Sequence, residues 1–212
     1  MAYDVEEQES LAALRAWFES NANWLLGAAL LALVIVGGNW AWRWYGQREA
    51  QAASALYDQY QQAVVEKDLT RARDLAGALL QQHASSVYAT FAALAQARAS
   101  LDAADAAAAK AQLHWVIEHS ANKELVALAR VRLAGILLDE KAYDEGLALL
   151  DAEAPKAMAP EFLDRRGDLL LAQGKKEQAR SAYAKALGEA GAQNPLRAVI
   201  QVKLDAIAAA EG

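Results

Sequence analysis

Residues able to do chemistry are sparse in this chain of 212, and the few present stand apart. His114 and Glu118 are four apart in AQLHWVIEHS, a spacing that puts both on one helix face and would suit two ligands of a zinc site. His119 points elsewhere on such a helix and no third ligand lies nearby, so a solvated helix surface is expected. His83 stands alone near a loop. GDLLLAQGKK superficially suggests a phosphate loop, but six residues rather than four separate Gly167 from Gly174, and Lys176 takes the Ser/Thr place. A repeat glycine followed by a turn glycine is the reading adopted. The absence of cysteine removes disulfides, thiol catalysis and thiolate metal sites, and is compatible with either redox compartment. No nucleophile–base pair, metal set or phosphate cradle remains. No catalytic, cofactor or metal residue is therefore assigned, and an enzyme is not expected.

The elements that position the remaining residues begin with a membrane segment. Ser20 to Trp42 carries no charge, and at about 1.5 Å per residue gives roughly 34 Å of helix against a hydrocarbon core about 30 Å thick. Leu25, Leu26, Leu30, Leu31, Leu33, Val34, Ile35 and Val36 fill its centre, and Asn39, near the far end, is the clearly polar residue. Trp24 marks one edge, and Trp40, Trp42, Trp44 and Tyr45 mark the other, where amphipathic rings prefer the headgroup layer. A cleavable signal would need a basic start, a shorter apolar core and small residues at the cut. Asp4, Glu6, Glu7, Glu9 and Glu19 precede this run against Arg15 alone, and its exit is Trp-Ala-Trp. Residues 21–45 are thus expected to be an uncleaved transmembrane helix, after an acidic tail over 1–20. Within that tail Leu11, Leu14, Trp17 and Phe18 form an apolar face suited to lying on the bilayer.

Net charge is −6, and only 20 bases against 22 acids follow the tail, which lacks the concentrated basic face that nucleic acid requires. The positive-inside count, Arg15 before the span against Arg43 and Arg48 after it, leans by one residue towards a cytoplasmic domain.

From residue 46 onward the chain is alanine-rich, has only three prolines and shows no alternating strand pattern, so an all-α domain is expected over 46–212. Phe162 to Leu187 reads as two amphipathic helices joined at Gly174-Lys175-Lys176. Its small Gly167 and Ala179, with Tyr183 four later, have the spacing of a tetratricopeptide hairpin of about 34 residues. The position of Ala179 recurs at Gly146, Ala109 and Ala72, separations of 33, 37 and 37. Tyr183 then corresponds to Leu150, Leu113 and Ala76, and Gly167 to Ala134, Ala97 and Tyr60. About four hairpins are predicted, followed by a capping helix that starts at Asn194-Pro195 and repeats Leu196, Val199, Ile200, Leu204 and Ile207. The fold class is therefore an N-terminal transmembrane helix followed by a tetratricopeptide-repeat-like α-solenoid.

In this register the first helix of each hairpin contributes to one face. Phe91, Leu94, Leu128, Val131 and Leu138 share it, with Arg98, Asp139, Asp164 and Asp168 among them. Apolar clusters with a polar rim suit a partner-binding groove, and the same apolar residues equally suit the core between repeats. The Lys and Asn pattern by which related repeats clamp a C-terminal carboxylate is not visible.

The acidic tail YDVEEQESLAALRAWFESN, the single span, and a repeat domain holding AQLHWVIEHS and VKLDAI occur in that order. Together they resemble the YfgM family of Gram-negative inner-membrane proteins, ancillary subunits of the SecYEG translocon. The resemblance implies a cytoplasmic N-terminus, a periplasmic repeat domain, and association with the translocon and with PpiD, a membrane-anchored periplasmic chaperone. It also implies help to polypeptides as they emerge, and no catalytic residue carries over. The alternative function is an envelope stress regulator that binds a signalling protein through its tail or its repeat domain.

Overall fold

Alanine and leucine favour helix intrinsically, and the chain takes that option almost everywhere. The computed structural model describes the backbone of residues 2–209, and the side chains from Leu11 onward apart from Leu25 and Ala29. The tail acids Asp4, Glu6, Glu7 and Glu9 lie outside those described side chains, as does Leu25. Among the described residues there are nine α-helices and no strand. They are α1 (Ala2–Val65), α2 (Leu69–Gln82), α3 (Val87–Asp102), α4 (Ala106–His119), α5 (Lys123–Asp139), α6 (Tyr143–Leu149), α7 (Ala159–Ala172), α8 (Lys176–Glu189) and α9 (Leu196–Ala209), with a 3₁₀ turn at Lys156–Met158. Packing divides the chain into two units, Met1–Gln51 and Ala52–Gly212.

Among the described residues, the first unit is a helix whose large apolar side chains are exposed. Trp24, Leu26, Leu30, Leu31, Leu33, Val34, Ile35 and Val36 are each more than 60% exposed, around the whole circumference. A helix apolar on every side has no aqueous face and needs an apolar surrounding. The described stretch Leu26–Val65 contains a window long and apolar enough to cross a membrane. Trp40 stacks on Trp44 at 6.5 Å, and the Arg48 guanidinium lies 3.9 Å from the Trp44 ring centre, a cation–π contact at the edge of the apolar run.

In the second unit the last turns of α1 pair with α2, α3 with α4, α5 with α6, and α7 with α8, while α9 packs on α8 and closes the stack. The repeat register expected from spacing is visible in the burial. Ala72, Ala109, Gly146 and Ala179 are buried, as are Ala76, Leu113, Leu150 and Tyr183, and Tyr60, Ala97, Ala134 and Gly167. Small residues on one helix leave room for large ones on its neighbour, and Leu79, Leu113, Leu133, Leu169, Tyr183 and Ile200 fill that room completely. At Asn194 the expected cap forms: its side chain accepts a 2.9 Å bond from the Leu196 N–H.

Each hairpin turns in the same way. A residue in the left-handed region (Lys67 φ 60°, Ala104 φ 58°, Lys141 φ 61°, Gly174 φ 76°) donates to the carbonyl three residues back. The next N–H donates to the carbonyl five back, completing a Schellman motif. Asp68 and Asp105 then cap the following helix by accepting from the Arg71 and Ala108 N–H groups. Three of these turns are made without glycine, which hides them from a search for turn residues.

The third hairpin departs from the pattern. Its second helix, α6, has seven residues, and Leu150, aligned with Tyr183 in mid-helix, is instead the residue that ends it. Pro155 and Pro160, which cannot donate the N–H bonds that continue a helix, punctuate the loop and 3₁₀ turn that follow. Leu150 stays buried all the same, so the core position survives the loss of the helix.

A Cβ at Gly167 would stand 2.4 Å from Cε1 of Tyr183, a ring held in the core. Gly167→Ala is expected to lower stability by about 1–3 kcal/mol in thermal or urea unfolding, and Gly167→Leu by more. In a Tyr183→Leu background the Gly167→Ala effect should largely vanish, which a double-mutant cycle measures. At the second turn, Ala104→Gly removes a left-handed strain at the cost of chain entropy, and a gain of about 0.5 kcal/mol is expected.

Candidate functional site

The side chains expected on the inner face divide among three environments. At one end Phe91 is 38% exposed and lies 6.3 Å, centre to centre, from Tyr57, which in turn packs against Tyr88 and the buried Tyr60. This is an aromatic patch between the first two hairpins. Leu94 is not on the surface, since it is 6% exposed within the core formed by α3, α4 and α5. Leu128, Val131 and Leu138 are half-buried and pack against core clusters on their inner sides. The apolar half of the expected groove thus serves both roles, core beneath and surface above.

The middle of the face is a cleft of about 390 Å³ between α3, α5 and α7. Arg98 and Asp139 line it as expected, together with Arg132 and Arg165. Arg98 pairs with Asp102 at 3.0 Å, and Arg165 donates to Asp168 at 3.2 Å. The Arg165 guanidinium lies beside Gly135, where an added Cβ would stand in ordinary van der Waals contact, 3.4 Å from its carbon. The Arg132 guanidinium is held below its ordinary pKa by burial and by the nearby charge of Arg98.

The far end is ionic. Lys203 of α9 donates to both oxygens of Asp164, at 2.7 and 2.9 Å, and to Asp168 at 2.7 Å. Tyr183 of α8 donates its hydroxyl to the same Asp168 oxygen at 2.8 Å. Burial pushes the Asp164 carboxyl up and Asp168 adds to the rise, while the Lys203 bonds pull it down without cancelling it. The Tyr183 hydroxyl is pushed far above its usual range by burial and by the Asp168 carboxylate it serves, so it stays a donor. Lys203 bridges two carboxylates that would otherwise repel each other, with Arg165 also on Asp168, and in doing so joins α7, α8 and α9.

Elsewhere, His114 and Glu118 are exposed on α4, and the His119 ring stacks flat on Trp115 at 4.7 Å. Among the described residues no group of three His, Asp or Glu side chains is placed to hold a metal ion. Gly167 lies inside α7 against Tyr183, and Gly174 makes the left-handed turn, so the two glycines of GDLLLAQGKK serve packing and chain reversal.

A tetratricopeptide repeat-like domain family matches residues 15–209. Over 98% of this chain and 100% of the relative, the sequence is 30% identical to an ancillary SecYEG translocon subunit of Neisseria gonorrhoeae. Proteins of the same description from Haemophilus influenzae and Escherichia coli are each 26% identical, over 88% and 84% of this chain and 91% and 85% of theirs. The chain belongs to the YfgM family. No solved structure matches it.

The described residues of its inner face form an aromatic patch, a cleft and an ionic cluster. Lys203, Asp164, Asp168 and Tyr183 are occupied with one another, whereas Gln112 Oε1, Glu161 Oε2, Arg165 Nε and Gln173 Oε1 are buried without a partner among the described residues. Sequence reasoning placed Asp164 and Asp168 on the inner face and did not find what holds them. Lys203 sits in VKLDAI, yet nothing local links it to residues 35 and 39 positions earlier. Arg132 and Arg165 were also missed, although a signal existed: they are 33 apart, the same step as Gly146 to Ala179, so they occupy one repeat position.

Lys203→Met should leave two carboxylates facing each other. With side chains 11–26% exposed, the loss at pH 7 is expected to be about 1–3 kcal/mol, below the figure for a fully buried pair. In the variant the Asp164 carboxyl, already pushed up by burial, loses the Lys203 bonds that pull it down and rises further. Stability from that group is then present at low pH and lost as pH rises through its folded-state value, so the deficit should shrink as pH falls towards about 4. Unfolding midpoints of parent and variant at pH 7 and pH 4 check this.

Proposed function

We propose that this chain is a single-pass inner-membrane interaction module with a cytoplasmic tail at 1–20, a span at 21–45 and a periplasmic repeat domain at 46–212. It works beside the SecYEG translocon and a PpiD-like chaperone, assisting secreted and envelope proteins during or after their translocation. The observation that carries this reading is the end-to-end match to a relative described as an ancillary SecYEG translocon subunit. An uncovered apolar helix and a helical-repeat domain with an open inner face support it. In this reading the anchor sets the location. Phe91, Arg98 and the outer sides of Leu128, Val131 and Leu138 meet the partner, whereas Leu94, Asp164 and Asp168 hold that surface in shape.

Protease added to spheroplasts is expected to digest the domain after Gln47 while an N-terminal tag stays protected. Protection of the domain, with lysis controls working, would overturn the orientation and favour the arginine count. In the second test, Phe91→Glu combined with Leu101→Glu alters two exposed apolar residues of α3. This pair should reduce co-purification of the translocon by at least about tenfold with helicity unchanged. Retained co-purification by the folded variant would mean that the inner face is not the docking surface.

A further inference from the structure

The cleft lined by α3, α4, α5 and α7 brings three arginines together against two carboxylates, in a protein whose net charge is −6. Two are already paired, Arg98 with Asp102 and Arg165 with Asp168. Arg132 has neither an ion pair nor a hydrogen bond among the described residues, and the Nε of Arg165 is buried without a partner. Of the two lining carboxylates, Glu140 is taken by Lys110 at 2.6 Å, which leaves Asp139. Convergent guanidinium groups with unused donors repel each other until an anion joins them, and planar guanidinium matches planar carboxylate in a two-bond fork.

The lining between these groups is apolar, with Ala97, Leu113 and Ile136 buried and Leu101 exposed, and a cleft of about 390 Å³ admits a few side chains rather than a bilayer surface. We propose that this cleft binds an extended polypeptide segment bearing acidic side chains, with Arg132 and Arg165 taking carboxylates and Leu101 covering an intervening apolar residue. The assignment rests on the inner face being the docking surface and adds the chemistry of what docks. The repeat supplies the spacing: Arg132 and Arg165 stand at equivalent positions on successive first helices, so an extended chain crossing α5 and α7 meets one guanidinium per helix.

The test uses the full chain in zwitterionic nanodiscs and two fluorescein-labelled peptides, one built as Ala-Glu-Leu-Glu repeated twice and one with every Glu replaced by Gln. Anisotropy titrations at low salt should show the acidic peptide binding at least about tenfold more tightly, and the preference should fall as salt is raised. Arg132→Gln removes a side chain that holds nothing in the fold, so its circular dichroism should be unchanged and the preference should disappear. Equal binding of the two peptides, no binding of either, or a preference that survives Arg132→Gln would overturn the proposal. Failure here with loss of translocon co-purification in the Phe91→Glu, Leu101→Glu variant would leave the docking surface standing and remove only its acidic selectivity.

Discussion

Everything in the repeat domain depends on how closely its helices approach. In the α7–α8 hairpin the backbone of α7 runs directly against the Tyr183 ring, with no Cβ between them. In the other hairpins alanines or Gly146 do the same with less extreme contact. Close crossings let thin, alanine-rich helices bury what little apolar surface they have, because dispersion falls away steeply once a gap opens. The large buried residues are few, no more than three in any helix among the described residues. A hairpin of this composition cannot exclude water by itself and requires a neighbour on each side, which is why the chain ends its stack with α9.

That dependence reaches the inner face. In the α7–α8 hairpin the buried Asp164 and the part-buried Asp168 meet Lys203 of α9. Two like charges on one helix face are tolerable because a third group of opposite sign, contributed from 35 to 39 residues away, stands between them. The face is thus closed ionically at its C-terminal end. It is left open at the arginine cleft and at the aromatic patch of Tyr57, Tyr88 and Phe91. Its buried Asp164 and Tyr183 are tied into the packing of α7, α8 and α9.

The two units obey different solvents. In the first, apolar residues surround the helix, and tryptophans gather where the apolar run ends. In the second, apolar residues recur at helical spacing and point inward. The change occurs within α1, where the side chains from Ala53 onward begin to pack against the repeats.

Much of this was legible in the sequence for a physical reason: the features concerned are local or periodic. A charge-free run of span length, the register of small residues from Ala72 to Ala179, and the Asn194-Pro195 helix start each depend on neighbours within a turn or on one repeated step. The sequence alone therefore determined the anchor, the hairpins and the positions where helices cross. What tertiary structure decided was every question of which side of a side chain faces what. Leu94 became core while Phe91 three residues earlier stayed open, since helix rotation by less than one turn separates the two. Lys67, Ala104 and Lys141 took left-handed turns that their residue types disfavour, because four hairpins need the same reversal and packing outweighs a cost of about 1–2 kcal/mol each. The pairing of Lys203 with Asp164 and Asp168 exists only once α9 has docked, and no pattern short of the folded stack brings those charges together.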